Sequence, residues 1–198
     1  MSDFEEEKTG KASPQKNIML YLHDLIYLLA AIVVIFTLCF RIVVVSGPSM
    51  YNTLVDGDFL LLLSNTFYHN QKQGDIVVVS KDSFDNGTPI VKRIIATEGQ
   101  TVDIDFKTGT VRVDGEVLSE PYIHSPTTTF EGMTFPLTVE EGCIFVLGDN
   151  RMDSKDSRDP EIGLIDQREV LGRAIFLFIP GNNQGRERAD FSRIGVVS

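Results

Sequence analysis

Cysteine, histidine and clustered positive charge are all scarce in this chain, and each shortage closes off a class of function. Two cysteines among 198 residues are too few for a disulfide framework. Cys39 falls inside the longest apolar run and Cys143 in a strand-like segment, so no bond between them is expected and both read as buried free thiols. The histidines, His23, His69 and His124, are scattered, and no His or Cys cluster has metal-ligand spacing. Neither a metal nor a cofactor is therefore expected. The formal net charge is −10, with no local run of Lys or Arg to offset it. That removes the electrostatic footprint on which nucleic-acid binding depends.

What is present begins with one long apolar segment. From Met19 to Phe40 only Tyr21, His23, Asp24, Tyr27 and Thr37 interrupt it, and Leu25 to Phe40 carries no charge. At 1.5 Å of rise per residue the segment spans ~33 Å as a helix, the thickness of a bilayer core. Arg41 closes it, at a depth where a long cationic side chain can snorkel. The apolar region of a cleaved signal peptide is shorter, roughly 7–15 residues, and a core helix of a globular protein has a polar face. An uncleaved transmembrane anchor over residues 18–41 is expected instead. Lys8, Lys11 and Lys16 precede it and only Arg41 follows closely. The positive-inside rule then puts the N-terminus in the cytoplasm and everything after Arg41 outside, and a single-pass plasma-membrane protein is expected. Residues 1–17, polar and without periodicity, are expected to be a disordered tail.

Beyond the anchor the pattern becomes extended. Ile42–Val45, Phe59–Leu63, Ile76–Val79, Ile90–Ala96, Val102–Phe106, Val111–Val113, Cys143–Leu147 and Val170–Ile179 are short, punctuated and rich in β-branched or aromatic residues. Asp114-Gly115 is a hairpin signal and Lys107-Thr108-Gly109 another turn. No segment after residue 46 reads as a long helix. A mainly β domain over residues 42–180 follows, a small barrel or folded sheets, with a loose polar tail over 181–198.

Three places carry candidate chemistry. In Ser46-Gly47-Pro48-Ser49-Met50, Pro48 fixes its own φ and Gly47 opens conformations closed to other residues, which holds Ser49 on a tight turn. Such a serine is either a plain turn residue or a nucleophile whose own N–H helps bind an oxyanion. Ser49 follows Arg41 by eight residues, so it lies within ~28 Å of the membrane interface even if fully extended. Lys92 is flanked on its own strand face by Ile90 and Ile94. Either it snorkels out of an edge strand, or burial lowers its pKa and yields a neutral amine able to take a proton from serine. The run Gly148–Asp159 lacks calcium-loop spacing, since Arg151 stands where a ligand belongs. It is either a solvated charged loop or a hydrogen-bonded scaffold for a site.

Ser49-Met50, Gly74-Asp75-Ile76-Val77-Val78-Val79, Val91-Lys92-Arg93-Ile94-Ile95 and Gly148–Arg158, in that order behind an N-terminal anchor, resemble the successive sequence boxes of type I signal peptidases. The likeness covers most of residues 20–178, and the single anchor and short length are similar to the Gram-positive branch. It implies a signal-peptidase-like β fold with Ser49 as nucleophile and Lys92 as base. It further implies that Ser154 holds Lys92 by a hydrogen bond and that an Asp156–Arg158 salt bridge supports the loop. Residues from about 99 to 142 become the family's variable insertion, and the partners become secretory preproteins, cut after small residues at the membrane lipid surface. Asn52 stands where the family commonly has Pro, and Ala96-Thr97-Glu98-Gly99 replaces a usual Gly-Leu-Pro-Gly. Gly47 sits where some members carry an oxyanion serine, so the Ser49 N–H is the expected oxyanion donor, with Ser46 a further candidate.

Three rivals stand beside this reading. A Ser-His-Asp hydrolase would need one of the histidines, all of which read as ordinary surface residues. A membrane-tethered β module that only binds a partner would need neither Ser49 nor Lys92. A self-cleaving regulator of the LexA type expects a soluble DNA-binding helical domain where this chain has its apolar segment.

Overall fold

The computed structural model describes residues 14–182 and 189–197 and divides into two units, a helical one up to Leu38 and a β domain from Cys39 onward. Helix α1 runs over Pro14–Cys39. Its stretch Ile18–Cys39 has a mean hydropathy of 2.3 and is long and apolar enough to cross a membrane. Apolar side chains stand exposed all round it, as a helix without a polar face requires of its surroundings. The Thr37 hydroxyl donates back to Val33 O and Val34 O, at 3.0 and 2.9 Å, so its polar group needs no partner outside the helix. Two expected boundaries move. The helix begins at Pro14, a residue favoured in a first turn, inside the segment expected to be disordered; residues 1–13 lie outside those described. It also ends at Cys39, so Phe40 and Arg41 belong to a strand rather than to the anchor.

In the β domain the strands are β1 (Phe40–Val44), β2 (Phe59–Ser64), β3 (Ile76–Val79), β4 (Ile90–Thr97), β5 (Thr101–Asp105), β6 (Thr110–Val113), β7 (Glu116–Val117), β8 (Leu137–Thr138), β9 (Cys143–Leu147), β10 (Ile165–Asp166), β11 (Val170–Ile179) and β12 (Gly195–Val196). They form an eight-stranded antiparallel sheet, ordered β1-β2-β11-β3-β4-β9-β10 with β12 on β11, and a four-stranded sheet, β7-β6-β5-β8. The expected mainly β folded-sheet class is what the chain adopts. Helices after residue 46, among the described residues, are single 3-10 turns.

Strands β3 and β9 are buried on both faces, which is why they read as unbroken apolar runs. Ile76 and Val78 join a core with Met50, Leu54, Leu60 and Leu62, while Val77 and Val79 face a second core with Ile94, Ile144 and Val146. Phe145 and Leu147 turn to a third, shared with Val102, Ile104, Val111 and Val113 of the small sheet. The outer edge of the large sheet is different. Ile42, Leu61, Phe176 and Val196 pair in one row across four strands, and Val44, Phe59 and Ile179 in the next. Ile42, Val44, Ile179 and Val196 in these rows are exposed, leaving an apolar sheet face uncovered within the domain.

Two further expectations are corrected. Cys39 and Cys143 are free but half-buried rather than buried, each standing at an element boundary. The described part of the segment 181–198 is not loose. Arg193 makes paired bonds at 2.8 and 2.6 Å to the fully buried Asp58, Val197 enters the first core, and β12 pairs with β11. Gly181 lies so close that a Cβ there would come within 2.1 Å of Asp56 O. Polar composition suggested a tail because the ionic partner, Asp58, is far away in sequence. Residues 183–188 lie outside those described.

Candidate active site

Ser49 sits on the turn that leaves β1. Gly47 takes φ +86°, a conformation that needs glycine, and its N–H donates to Asp56 Oδ1 at 2.9 Å. Tyr51 N–H closes on Pro48 O at 2.9 Å, and the buried Met50 anchors the turn in the first core. Ser49 itself is half-buried, and among the described residues its N–H has no acceptor within the protein, so it is available to an oxyanion. The Ser46 side chain is exposed and shows no bond to Ser49.

Lys92 comes from β4, opposite Val77 of β3. Only 2% exposed, it does not snorkel from an edge; β4 is an interior strand between β3 and β9. Its Nζ lies 2.8 Å from Ser49 Oγ and donates to Val91 O at 3.1 Å. Burial lowers its pKa from 10.5 to about 8, against the pull of Asp156, Glu131 and Asp149, with Arg158 helping to lower it. The ammonium still predominates at neutral pH, but a far larger share of this amine is neutral there than of a free lysine.

The loop after β9 frames both groups. Asn150 N–H donates to Ser49 O at 3.0 Å, and Asn150 Nδ2 to Pro48 O at 3.2 Å. A Cβ on Gly148 would lie 2.5 Å from Ser49 O and 2.2 Å from Ser154 Oγ, so no other residue fits that position unchanged. Asp156 and Arg158, both fully buried, make a two-bond ion pair at 2.8 Å for each contact. Asp156 also accepts from the Gly148 N–H at 3.0 Å. Ser154 Oγ donates to Asp156 Oδ2 at 2.9 Å, and the hydrogen bond expected from it to Lys92 is not among those described. The carboxylate, already oriented by Arg158, takes that proton instead.

Several residues here had no assigned role in the sequence. Arg93, next to Lys92, makes bonds of 2.9 and 2.8 Å to the buried Asp149 and donates to Gly74 O at 2.8 Å. Thr53 Oγ1 also donates to Asp149, so one carboxylate links β4 to the segment after Ser49. Asp149 and Arg93 lie within the quoted sequence boxes, which was the available signal. Arg151, fully buried, pairs with Glu120 and Thr127, for which sequence spacing held no signal. Among the histidines, His124 packs its exposed ring edge-on to Tyr51 at 5.1 Å and has no hydrogen bond to Ser49. His23 meets Tyr27 edge-on in the helix, ring centroids 4.4 Å apart.

A serine hydroxyl on a half-buried turn, against a desolvated lysine amine whose pKa is lowered to about 8, can become a nucleophile without histidine or metal. Comparison with known proteins agrees with a hydrolytic site. The family model for signal peptidase, peptidase S26, matches residues 18–179. A signal peptidase I of Bacillus licheniformis is 34% identical over 186 residues, covering 90% of this chain and 96% of that one. Signal peptidase I T of Bacillus subtilis is 36% identical over 146 residues, covering 70% and 73%. A crystal structure of a signal peptidase I from Enterococcus faecalis, 33% identical, covers 53% of this chain and 97% of that one with a TM-score of 0.45. The chain belongs to the signal peptidase family, peptidase S26.

Proposed function

We propose that this protein is a membrane-anchored serine endopeptidase that removes N-terminal signal peptides from secretory preproteins through an acyl-enzyme on Ser49. The observation that carries the reading is the 2.8 Å approach of a buried Lys92 amine to the Ser49 hydroxyl. The neutral amine takes the Ser49 proton as Oγ attacks the scissile carbonyl. The Ser49 N–H stabilises the oxyanion, and the ammonium then protonates the departing amine of the mature protein. In the second half-reaction Lys92 takes a proton from water, hydroxide attacks the acyl carbon, and the signal peptide leaves as a carboxylate with Ser49 restored.

Three features support membrane-surface action. Helix α1 has the length and hydropathy of an anchor, Lys16 and the other early lysines favour a cytoplasmic N-terminus, and the β domain exposes an apolar sheet face at β1 and β12. A signal peptide would lie extended beside the crowded Ser49 turn, where small residues before the cut fit best. Incubating the full-length protein in detergent with a signal-bearing preprotein, then sequencing the new N-terminus, tests the whole reading. Cleavage after a small residue, absent in Ser49→Ala, is expected; cleavage by Ser49→Ala, or none by the wild type, overturns it.

A further inference from the structure

Residues 118–136 join β7 to β8 and lie against the loop that frames the dyad. His124 N–H donates to Asp149 O at 3.1 Å, Glu120 and Thr127 hold Arg151, and Met133 N–H donates to Arg158 O at 3.0 Å. Arg158 is the meeting point. Its Nη1 donates to Thr129 O at 3.2 Å, and its Nη2 lies 3.0 Å from Glu131 Oε1, while Nε and Nη2 hold Asp156. One buried guanidinium therefore sits between two carboxylates, one from the site's own loop and one from the segment expected to be a variable insertion. The second oxygen of Glu131, Oε2, is buried without a hydrogen-bond partner.

We propose that Glu131 is a positioning residue for the dyad: its carboxylate, held by Arg158, sets the balance between the ammonium and amine forms of Lys92. The proposal rests on the Ser49/Lys92 reading above. Consider the charges of Lys92, Arg158, Asp156 and Glu131 together. With Lys92 protonated they cancel; when Lys92 gives up its proton the buried group is left with one excess negative charge. An interior of low dielectric resists that excess, so an ionised Glu131 favours the ammonium. Neutralising Glu131 removes the excess and frees the amine.

The surrounding charges are consistent with this coupling. Lys92 faces Asp156, Glu131 and Asp149, which favour its ammonium, and Arg158, which opposes it. Glu131 faces Asp156 and Asp159, which disfavour its carboxylate, and Arg158, which favours it. Burial, then Asp156, pushes the Glu131 carboxyl up to about 7, so it titrates just below the lysine.

The test compares full-length wild type, E131Q and Glu131→Met in detergent. One readout is the pH profile of kcat/KM for preprotein cleavage. The other is the rate at which a small amine-reactive reagent modifies Lys92, read by peptide mass spectrometry, which does not depend on catalysis. Both neutral variants are expected to move the Lys92 midpoint down by about half a pH unit, roughly a threefold rise in the ratio of neutral amine to ammonium at a given pH. The profiles should separate most in the neutral range and converge in acid, where Glu131 is protonated in the wild type as well. A residue that merely packs the loop would lower activity and leave the midpoint in place, and that result in either folded variant overturns the proposal. Should the modification midpoint move while Ser49→Ala still cleaves, the dyad reading falls and the coupling of Glu131 to Lys92 stands.

Discussion

The two sheets of the β domain meet the demand for burial in opposite ways. The small sheet buries Val102, Ile104, Val111 and Val113 against Phe145 and Leu147, and its strands bury no charged side chain. The large sheet and its connections enclose Asp58, Asp75, Lys92, Arg93, Asp149, Arg151, Asp156 and Arg158. A buried charge costs several kcal/mol before its partner repays any of it, so a fold that needed only stability would use the first solution throughout. The contrast coincides with the proposed site. Most of these charges are paired, as Arg93 is with Asp149 and Arg158 with Asp156. Lys92 is held against a serine hydroxyl and a carbonyl, and among the described residues it has no ion pair. On the mechanism proposed above, it is the place where stability is given up for reactivity.

Lys92→Met should sharpen that contrast most. Cleavage is expected to fall about 10⁴-fold or more, as for loss of a member of a catalytic unit, while the protein becomes more stable. The sign follows from protons bound. Between about pH 8 and 10.5 the unfolded lysine keeps a proton that the folded one has lost, so stability rises with pH across that window. Below 8 both states are protonated and the full penalty, about 3 kcal/mol at 1.36 kcal/mol per unit, is present. Thermal unfolding at pH 7 should therefore show a higher Tm for Lys92→Met than for wild type, with the gap closing above pH ~10.5. In the wild type kcat/KM should rise with pH through about 8, since only the neutral amine can act. A variant that cleaves at the wild-type rate, or that is less stable at pH 7, would remove the basis for treating Lys92 as a strained base.

Gly148→Ala addresses the frame rather than the base. Its Cβ would collide with Ser49 O and Ser154 Oγ, both at distances that no rotamer change of the new residue can relieve. The Ser49 turn or the loop must shift by something near an ångström, which at a reacting centre costs about 10²-fold in kcat. KM should change less, because the substrate-binding surface away from the turn is untouched. Unchanged kcat in a folded Gly148→Ala protein would show that the clamp on the turn is not what aligns Ser49.

How far the sequence discloses this site depends on the range of the contact. Strands β3 and β9 were legible from their unbroken apolar runs, because both their faces are buried and composition alone reports that. Burial of Lys92 was foreshadowed by Ile90 and Ile94, though the choice between snorkelling and burial required knowing that β4 lies inside the sheet. What could not be read were pairings across the fold: Arg193 with Asp58, Arg151 with Glu120, Arg158 with Glu131, and Ser154 with its near neighbour Asp156 rather than Lys92. A charged residue in a polar segment looks the same whether water or a distant carboxylate solvates it. Only the path of the chain decides, and segments 118–136 and 181–198 have no periodic pattern from which to infer that path.

The smallest expected effect lies in the other sheet and serves as the control for the rest. Val111 is 1% exposed and packs in the third core with Ile104, Val113 and Phe145, away from any charge. Val111→Ala removes two buried methyl groups, which should lower stability by ~1–2 kcal/mol from lost transfer energy and an incompletely closed cavity. If the small sheet is an apolar brace, that loss spreads as a lower Tm and nothing else. Among the described residues no hydrogen bond or ion pair joins β6 to Arg151 or Arg158, so Glu120 and Glu131 should keep their partners and the charges around Lys92 stay unaltered. The kcat/KM of the folded fraction and the pH of its rise should then match the wild type. A shift in that midpoint on Val111→Ala would mean that packing of the small sheet reaches the lysine through residues 118–136. In that case the division between an apolar brace and a charged site would have to be redrawn as one coupled unit.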